Sequence, residues 1–368
     1  TLSKLLTEAR AQNAWLRAGS SVAQQQTLRT YVTALEDSFR LKRRGRPKAK
    51  RAKTTLPSLE YTRRGFRIKD GRLHLPNKVT IPVVWSRGLP STPTSVRIYR
   101  DSLGHWYGSF VVRRESVMLD DAGGAGIGVD WGVTCTATTT DAAFDLPYLG
   151  HRRRCSAELA KAQRRMARRR PARGHAASRG YRNARRQAAR IAKRASRQTL
   201  HDVRQWALRV VDKHSLIAVE DFKPSFLAKS RLARKSADAA IGLCKNELIY
   251  RAMRAGRQVV LVPPAYTTMT CSQCGARAKD RLRLGLRVFQ CTACGYTAGR
   301  DRNAARTILA TAERNRAGAD DVRHAMTPFQ SGDSGAVGAR NPMEPSTGGA
   351  NPTTRLPAIR RTCSDRIA

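Results

Sequence analysis

The sequence predicts an α+β protein of more than one domain. Three observations predict it: helical apolar spacing over residues 1–40, short alternating strands over 55–118, and two Cys-x-x-Cys pairs placed between a strand and a helix. At 368 residues the chain is long enough for two or more cores.

Leu2, Leu5, Leu6 and Ala9 share one helical face, as do Leu28, Tyr31, Val32, Leu35 and Phe39. Thr1 is not an initiator methionine, so the reading expects a missing or processed amino terminus. Residues 41–53 then run LKRRGRPKAKRAK, broken by Gly45 and Pro47. Their charge density predicts a loop that contacts a phosphate backbone, with Arg43, Arg44 and Arg46 as candidates. Residues 95–99 and 106–112 flank a turn at 101–104 and predict a hairpin. A small β-barrel or sandwich would accommodate this region. The glycine-rich stretch 121–126 reads as a domain boundary.

Residues 127–133 read as a buried strand that turns into a second, threonine-rich one. Between 151 and 210 stand 20 Lys and Arg but two acids, Glu158 and Asp202. Pro171 and Gly174 split this stretch into two helices. The second carries Leu200, Val203, Trp206, Ala207, Val210 and Val211 on one side, so it docks on a core with its arginines outward. Arg164, Arg165 and Arg168 of the first helix and Arg185 and Arg186 of the second are the candidate nucleic-acid contacts. An apolar strand at 215–221 ends in two carboxylates. A helix bearing Ile241, Cys244, Leu248 and Ala252 stops at Gly256, and a strand at 258–262 is closed by Pro263 and Pro264. Asp301 opens a last helix. Beyond 316 the composition predicts disorder.

The formal net charge is +43, from 70 Lys plus Arg against 27 Asp plus Glu. Such an excess opposes its own folding unless a polyanion neutralises it, which points to nucleic acid. No apolar run is long enough to span a membrane, and the first thirty residues lack a secretory apolar segment. Eight cysteines, four of them in the paired motifs, fit a reducing cytoplasm better than a disulfide scaffold.

Cys271, Cys274, Cys291 and Cys294 have the spacing of a four-thiolate zinc ribbon. Gly275 and Gly295 follow the two pairs and let the backbone fold beneath the metal. Asp130 lies within a buried strand, Glu220 ends another, and Asp301 begins a helix. Strand-borne acids plus one helical acid is how polynucleotidyl hydrolases hold two magnesium (or manganese) ions roughly 4 Å apart. Asp221 ranks below Glu220 because adjacent strand residues point oppositely.

Gly128-Val-Asp-Trp-Gly132, Val219-Glu-Asp221, the two cysteine pairs and Asp301-Arg-Asn-Ala-Ala305 together resemble the transposon-encoded TnpB/OrfB proteins. These are RNA-guided DNA nucleases related to the ancestors of type V CRISPR effectors. The resemblance covers about 55–312. It implies that Asp130, Glu220 and Asp301 are the acids of a split RuvC-like, RNase H-fold nuclease that binds magnesium or manganese. It implies that the four cysteines hold zinc in an insert that binds target nucleic acid. The implied domains are a partial helical recognition lobe with basic linker (1–54), a wedge-like RNA-binding β-barrel (55–120), nuclease parts I and II (121–262) with a basic helical hairpin (151–213), the zinc-ribbon insert (263–298), nuclease part III (299–315) and a disordered tail (316–368). The implied partners are a guide RNA from the transposon end and target DNA, double- and single-stranded, in a prokaryotic cytoplasm. By this resemblance the family's first strand and part of its helical lobe are expected to be absent before Thr1, Thr268-Met269 stands where Ser-Gln is usual, and Trp131 stands where a smaller residue is common and is expected to crowd Asp130. The retained acids favour a nuclease over a catalytically silent RNA-guided DNA-binding regulator. The Asp-Glu-Asp order favours it over an acidic-triad transposase, which usually places a final Glu on the closing helix. A plain zinc-ribbon RNA-binding protein would give the buried Asp130 no purpose.

Overall fold

A computed structural model describes residues 2–41, 44–49, 55–114, 125–172, 174–222, 227, 230–279, 285–317 and 354–355. Two compact units partition the chain, residues 1–115 with 331–368 and residues 116–330.

The first unit opens with α1 (Leu2–Gln12), α2 (Ala14–Arg17) and α3 (Ser21–Arg40). The apolar positions that predict these helices are only partly covered: Leu2, Leu5, Tyr31 and Phe39 remain exposed. Strands follow as β1 (Ser58–Thr62), β2 (Arg67–Lys69), β3 (Arg72–Leu75), β4 (Val79–Pro82), β5 (Ser95–Arg100) and β6 (Trp106–Val111). The expected hairpin is β5–β6, with Arg100 opposite Trp106. Asp101 fixes its turn by accepting from the Leu103 and His105 N–H groups at 2.9 and 3.0 Å.

The expected β-barrel is not formed. One sheet has the order β1-β5-β6, extended by Thr354–Arg355, and β2-β3-β4 is a separate sheet; neither closes on itself. Closure requires long, tilted and staggered strands, and β2, β3 and β4 are three or four residues each. Tyr61, Phe66, Leu73, Val96, Ile98 and Phe110 form this unit's core, capped by Ala23 of α3.

The second unit is built on β7 (Ile127–Trp131), β8 (Cys135–Thr139) and β9 (Leu146–Pro147), then α4 (His151–Arg154), α5 (Ser156–Arg168) and α6 (Arg179–Lys213). Next come β10 (Leu216–Glu220), α7 (Ala233–Ala239), α8 (Ile241–Arg254), β11 (Gln258–Val262), β12 (Val288–Gln290), β13 (Thr297–Gly299) and α9 (Arg300–Ala317). The main sheet has the order β11-β10-β7-β8-β9. Strands β7 and β8, and β8 and β9, are antiparallel, whereas β10 runs parallel to both β7 and β11.

Strand alternation sorts this sheet's side chains between two layers. Ile127, Val129, Trp131, Ile217 and Val219 share a core with Val203, Trp206 and Val210 of α6 and with Leu248 of α8. Leu216, Ala218, Val260 and Val262 pack on Ile308 and Ala312 of α9 across the other face. Both faces are covered, so β7 and β10 are buried throughout, as their unbroken apolar character predicts. Gly128 sets the distance between β7 and α9. A Cβ placed there would come within 2.0 Å of the Ala305 carbonyl oxygen. Trp131 does not crowd Asp130. It lies in the α6/α8 layer, edge-on to Trp206 at 6.0 Å, and its indole N–H donates to the Glu220 carbonyl at 3.2 Å.

Candidate carboxylate and cysteine sites

The sheet order reverses between β7 and β10: the chain leaves β7 toward β8 and β9, and leaves β10 toward β11. In open α/β sheets, ligands bind at the carboxyl ends of strands beside such a switch point. Asp130 and Glu220 stand there. The register pairs Val129 with Val219, so the two acids occupy the next positions on neighbouring parallel strands, on the α9 face. Asp301 enters from the first turn of α9.

Asp130 and Glu220 are buried, and Asp301 is partly exposed. Burial raises the Asp130 carboxyl well above the ordinary carboxylate range, and the charges of Glu220 and Asp301 raise it further. Arg300 and the Trp131 N–H act in the opposite direction. Burial likewise raises Glu220 to about 7, against the lowering effects of the Thr267 hydroxyl, Lys245 and the Trp131 N–H. Thr267 donates to Glu220 Oε1 at 3.4 Å. A buried carboxyl raised by two neighbouring acids suits a cation, and the hard oxygens of such a group suit a divalent one. Arg287 reaches the same rim, with Nη1 3.6 Å from Asp301 Oδ2 and Nη2 3.3 Å from the Thr134 hydroxyl. Asp221 points to the opposite face and pairs with Lys245 at 2.5 Å.

The residues after Asp301 hold the helix in place. Arg302 Nη2 lies 2.7 Å from Asp145 Oδ2 and its Nη1 lies 3.0 Å from Oδ1, a two-point grip that also reaches the Thr139 carbonyl. Asn303, fully buried, accepts from the Ser272 N–H at 2.9 Å and donates to the Thr270 carbonyl at 2.8 Å. Thr307 donates to the same carbonyl at 3.2 Å. One helical turn therefore aims Asp301 at the acids, Arg302 at β8 and Asn303 at the first cysteine knuckle.

Among the described residues, Cys271, Cys274, Cys291 and Cys294 form a group whose ligand atoms all lie within 4.8 Å of one another. The Cys271–Cys294 and Cys274–Cys291 sulfurs are 3.8 and 3.7 Å apart. Thiolates about 2.3 Å from a shared tetrahedral centre lie roughly 3.8 Å apart, so this quartet fits a zinc ion. Gly275 and Gly295 take φ values of 75° and 72°, the left-handed turns the knuckles need. The Cys294 and Ala293 N–H groups lower the Cys291 thiol, whereas hydrogen bonds with the other three sulfurs raise Cys294, so the four thiols share protons in the absence of a metal. Phe289 is buried beneath the quartet.

The basic candidates fare differently. Arg164, Arg165, Arg168, Arg185 and Arg186 are exposed on α5 and α6. Arg44 pairs with Asp37, and Arg46 lies over the Phe39 ring at 5.8 Å. Arg43 lies outside the described residues, as do 121–124 of the expected boundary and nearly all of the expected tail. Sequence reasoning did not anticipate Lys245, Thr267 or Asp145. They act across 24, 47 and 157 residues of chain, and no local pattern announces them.

Fold and site together define a multidomain α/β protein in which α9 contributes one of a group of carboxylates and is hydrogen-bonded to a four-cysteine site. Residues 109–231 match the OrfB_IS605 family model, described as "Probable transposase", and residues 243–308 match the Cas12f1-like TNB domain. A "Putative RNA-guided DNA endonuclease" from Streptomyces pristinaespiralis is 34% identical over 316 residues, which is 84% of this chain and 76% of that protein. "Putative RNA-guided DNA endonuclease InsQ" from Escherichia coli K12 is 29% identical over 317 residues, 80% of this chain and 75% of its own. A Cas12f1–sgRNA–target DNA complex aligns with a TM-score of 0.45 at 13% identity, over 74% of this chain and 67% of that one. The chain belongs to the OrfB/TnpB family.

Proposed function

We propose that this chain is an RNA-guided DNA endonuclease of an insertion sequence, with a RuvC-like, RNase H-fold catalytic domain that serves transposon maintenance and recombination. What supports the reading is that Asp130 and Glu220 take matched positions on β7 and β10, with Asp301 near enough for its charge to raise the Asp130 carboxyl. The names of the two long relatives support it.

Asp130, Glu220 and Asp301 would hold magnesium or manganese. Two such ions supply an activated water and a stabilised leaving 3′ oxygen. The protein's own part is to orient these oxygens. Arg302 and Asn303 fix the phase of α9, and Gly128 lets it approach β7. Arg287, at the rim, offers a cation to a phosphodiester in the cleft. Zinc in the cysteine quartet would fold the knuckles against α9.

A guide RNA from the transposon end would lie on the basic surfaces, including Arg43, Arg44, Arg46, Arg164, Arg165, Arg168, Arg185 and Arg186. Base pairing to the guide would then select the target, with the protein reading a short adjacent motif. Residues 1–54 would serve as a partial recognition lobe, 55–120 as the wedge, 121–262 and 299–315 as the nuclease, and 263–298 as the insert that receives the single strand. The setting would be a prokaryotic cytoplasm.

The test is to purify the chain, sequence the RNA bound to it, and incubate the complex with matching duplex DNA and magnesium. Asp301→Ala should abolish cleavage and leave RNA binding intact. A purified chain without bound RNA, or an Asp301→Ala chain that still cuts, would overturn the reading.

A further inference from the structure

Tyr266 places an aromatic side chain on a half-exposed turn. It has a φ of 66°, left-handed backbone that bulky side chains rarely adopt. Its carbonyl accepts from the Met269 and Thr270 N–H groups at 2.9 and 3.0 Å and from the Thr270 hydroxyl at 3.0 Å, so the backbone alone defines the turn. The side chain is half exposed and belongs to none of the apolar clusters of its unit. Glycine or asparagine would satisfy this geometry with less strain.

The position of the ring is informative. The next residue, Thr267, is the one that hydrogen-bonds Glu220, and four residues further on Cys271 begins the metal-binding knuckle. The turn thus bridges the carboxylates and the cysteine quartet. Arg277, whose backbone bridges to Thr270, lays its guanidinium over the Tyr266 ring. A cation on one face polarises and steadies an aromatic platform. Exposed aromatics beside cations are how proteins hold unpaired bases, because every base offers a flat π face whatever its identity.

We propose that Tyr266, backed by Arg277, is a stacking site for one base of a single-stranded polynucleotide lying at the carboxylates. It rests on the nuclease reading above and adds a sequence-tolerant contact that places the strand in register with Glu220.

The experiment titrates a short fluorescent oligothymidylate, and an all-abasic strand of equal length, against the full-length purified protein by polarisation. Calcium replaces magnesium, so binding is read without cleavage. Tyr266→Gly and Tyr266→Asn, both compatible with the left-handed turn, should weaken oligothymidylate binding roughly tenfold. Tyr266→Phe should stay within about twofold of the parent. The weakening should persist at raised salt, because no phosphate contact is lost, and all the variants should bind the abasic strand as the parent does. Melting curves and zinc content check that each variant is folded. Parent-like binding by the folded Gly and Asn variants would overturn the proposal. An equal loss on the abasic strand would overturn it too, since it would mark a structural role. Failure of the nuclease reading shows up separately, as a parent chain that does not cleave in magnesium.

Discussion

The buried amide of Asn303 accepts from the Ser272 backbone N–H at 2.9 Å, so the first cysteine knuckle is fastened to the helix that presents Asp301. The same amide donates to the Thr270 carbonyl at 2.8 Å. Truncation would leave the Ser272 N–H without this acceptor and the Thr270 carbonyl with the Thr307 hydroxyl alone. Asn303→Ala should lose about 1–3 kcal/mol in urea unfolding, and DNA cleavage should fall although all three acids remain. An unchanged cleavage rate would show that the knuckle does not set the placement of Asp301.

The cysteine quartet predicts one zinc per chain. Elemental analysis of the native protein should find it, and Cys291→Ser should lose most of it. Structural zinc is worth on the order of 10 kcal/mol of folding free energy in small domains, so the knuckles should become protease-sensitive while the main sheet keeps its amide protection. A native protein free of zinc would remove this assignment.

Glu220 makes the metal-free protein sensitive to pH. Burial raises its carboxyl from 4.5 to about 7, so the folded chain favours the protonated form. The stability tied to that proton is fully present below the unfolded value near 4.5 and is lost as pH rises through about 7. In EDTA at alkaline pH, Glu220→Gln should therefore be more stable than the parent by on the order of 3 kcal/mol. Near pH 4.5 the difference should vanish. Magnesium should restore the parent at alkaline pH and leave the variant unchanged. Equal melting of the two proteins across the range would contradict a buried, proton-holding Glu220.

Gly128→Ala tests the seat of α9. Its methyl group would meet the Ala305 carbonyl oxygen at 2.0 Å, backbone against backbone, with no side chain free to yield. The cost should be about 1–3 kcal/mol or more. Cleavage should fall further than the stability loss accounts for, because α9 must lift Asp301 away from Asp130. Chemical denaturation and single-turnover cleavage, measured side by side, check both parts.

Much of this was legible in the chain. The apolar runs of β7, β10 and β11 show their period and length locally, and the cysteine spacing states its own geometry. The β-barrel expectation fails because strand pairing is long-range: residues 67–82 alternate as strands should, yet nothing local says that they form their own sheet. The candidate acids stand out because Asp130 and Glu220 are charges in apolar strands and Asp301 lies in the first turn of a helix. The groups that tune and hold them, Thr267, Lys245 and Asp145, were invisible because they arrive from distant elements by tertiary packing alone.

The consecutive run Asp301, Arg302, Asn303 works only in one rotational phase. Each residue along an α-helix turns the side chain by roughly 100°. A single-codon insertion or deletion within or just ahead of this run would swing all three side chains off their targets together. Length changes at the start of α9 should therefore be lethal to cutting.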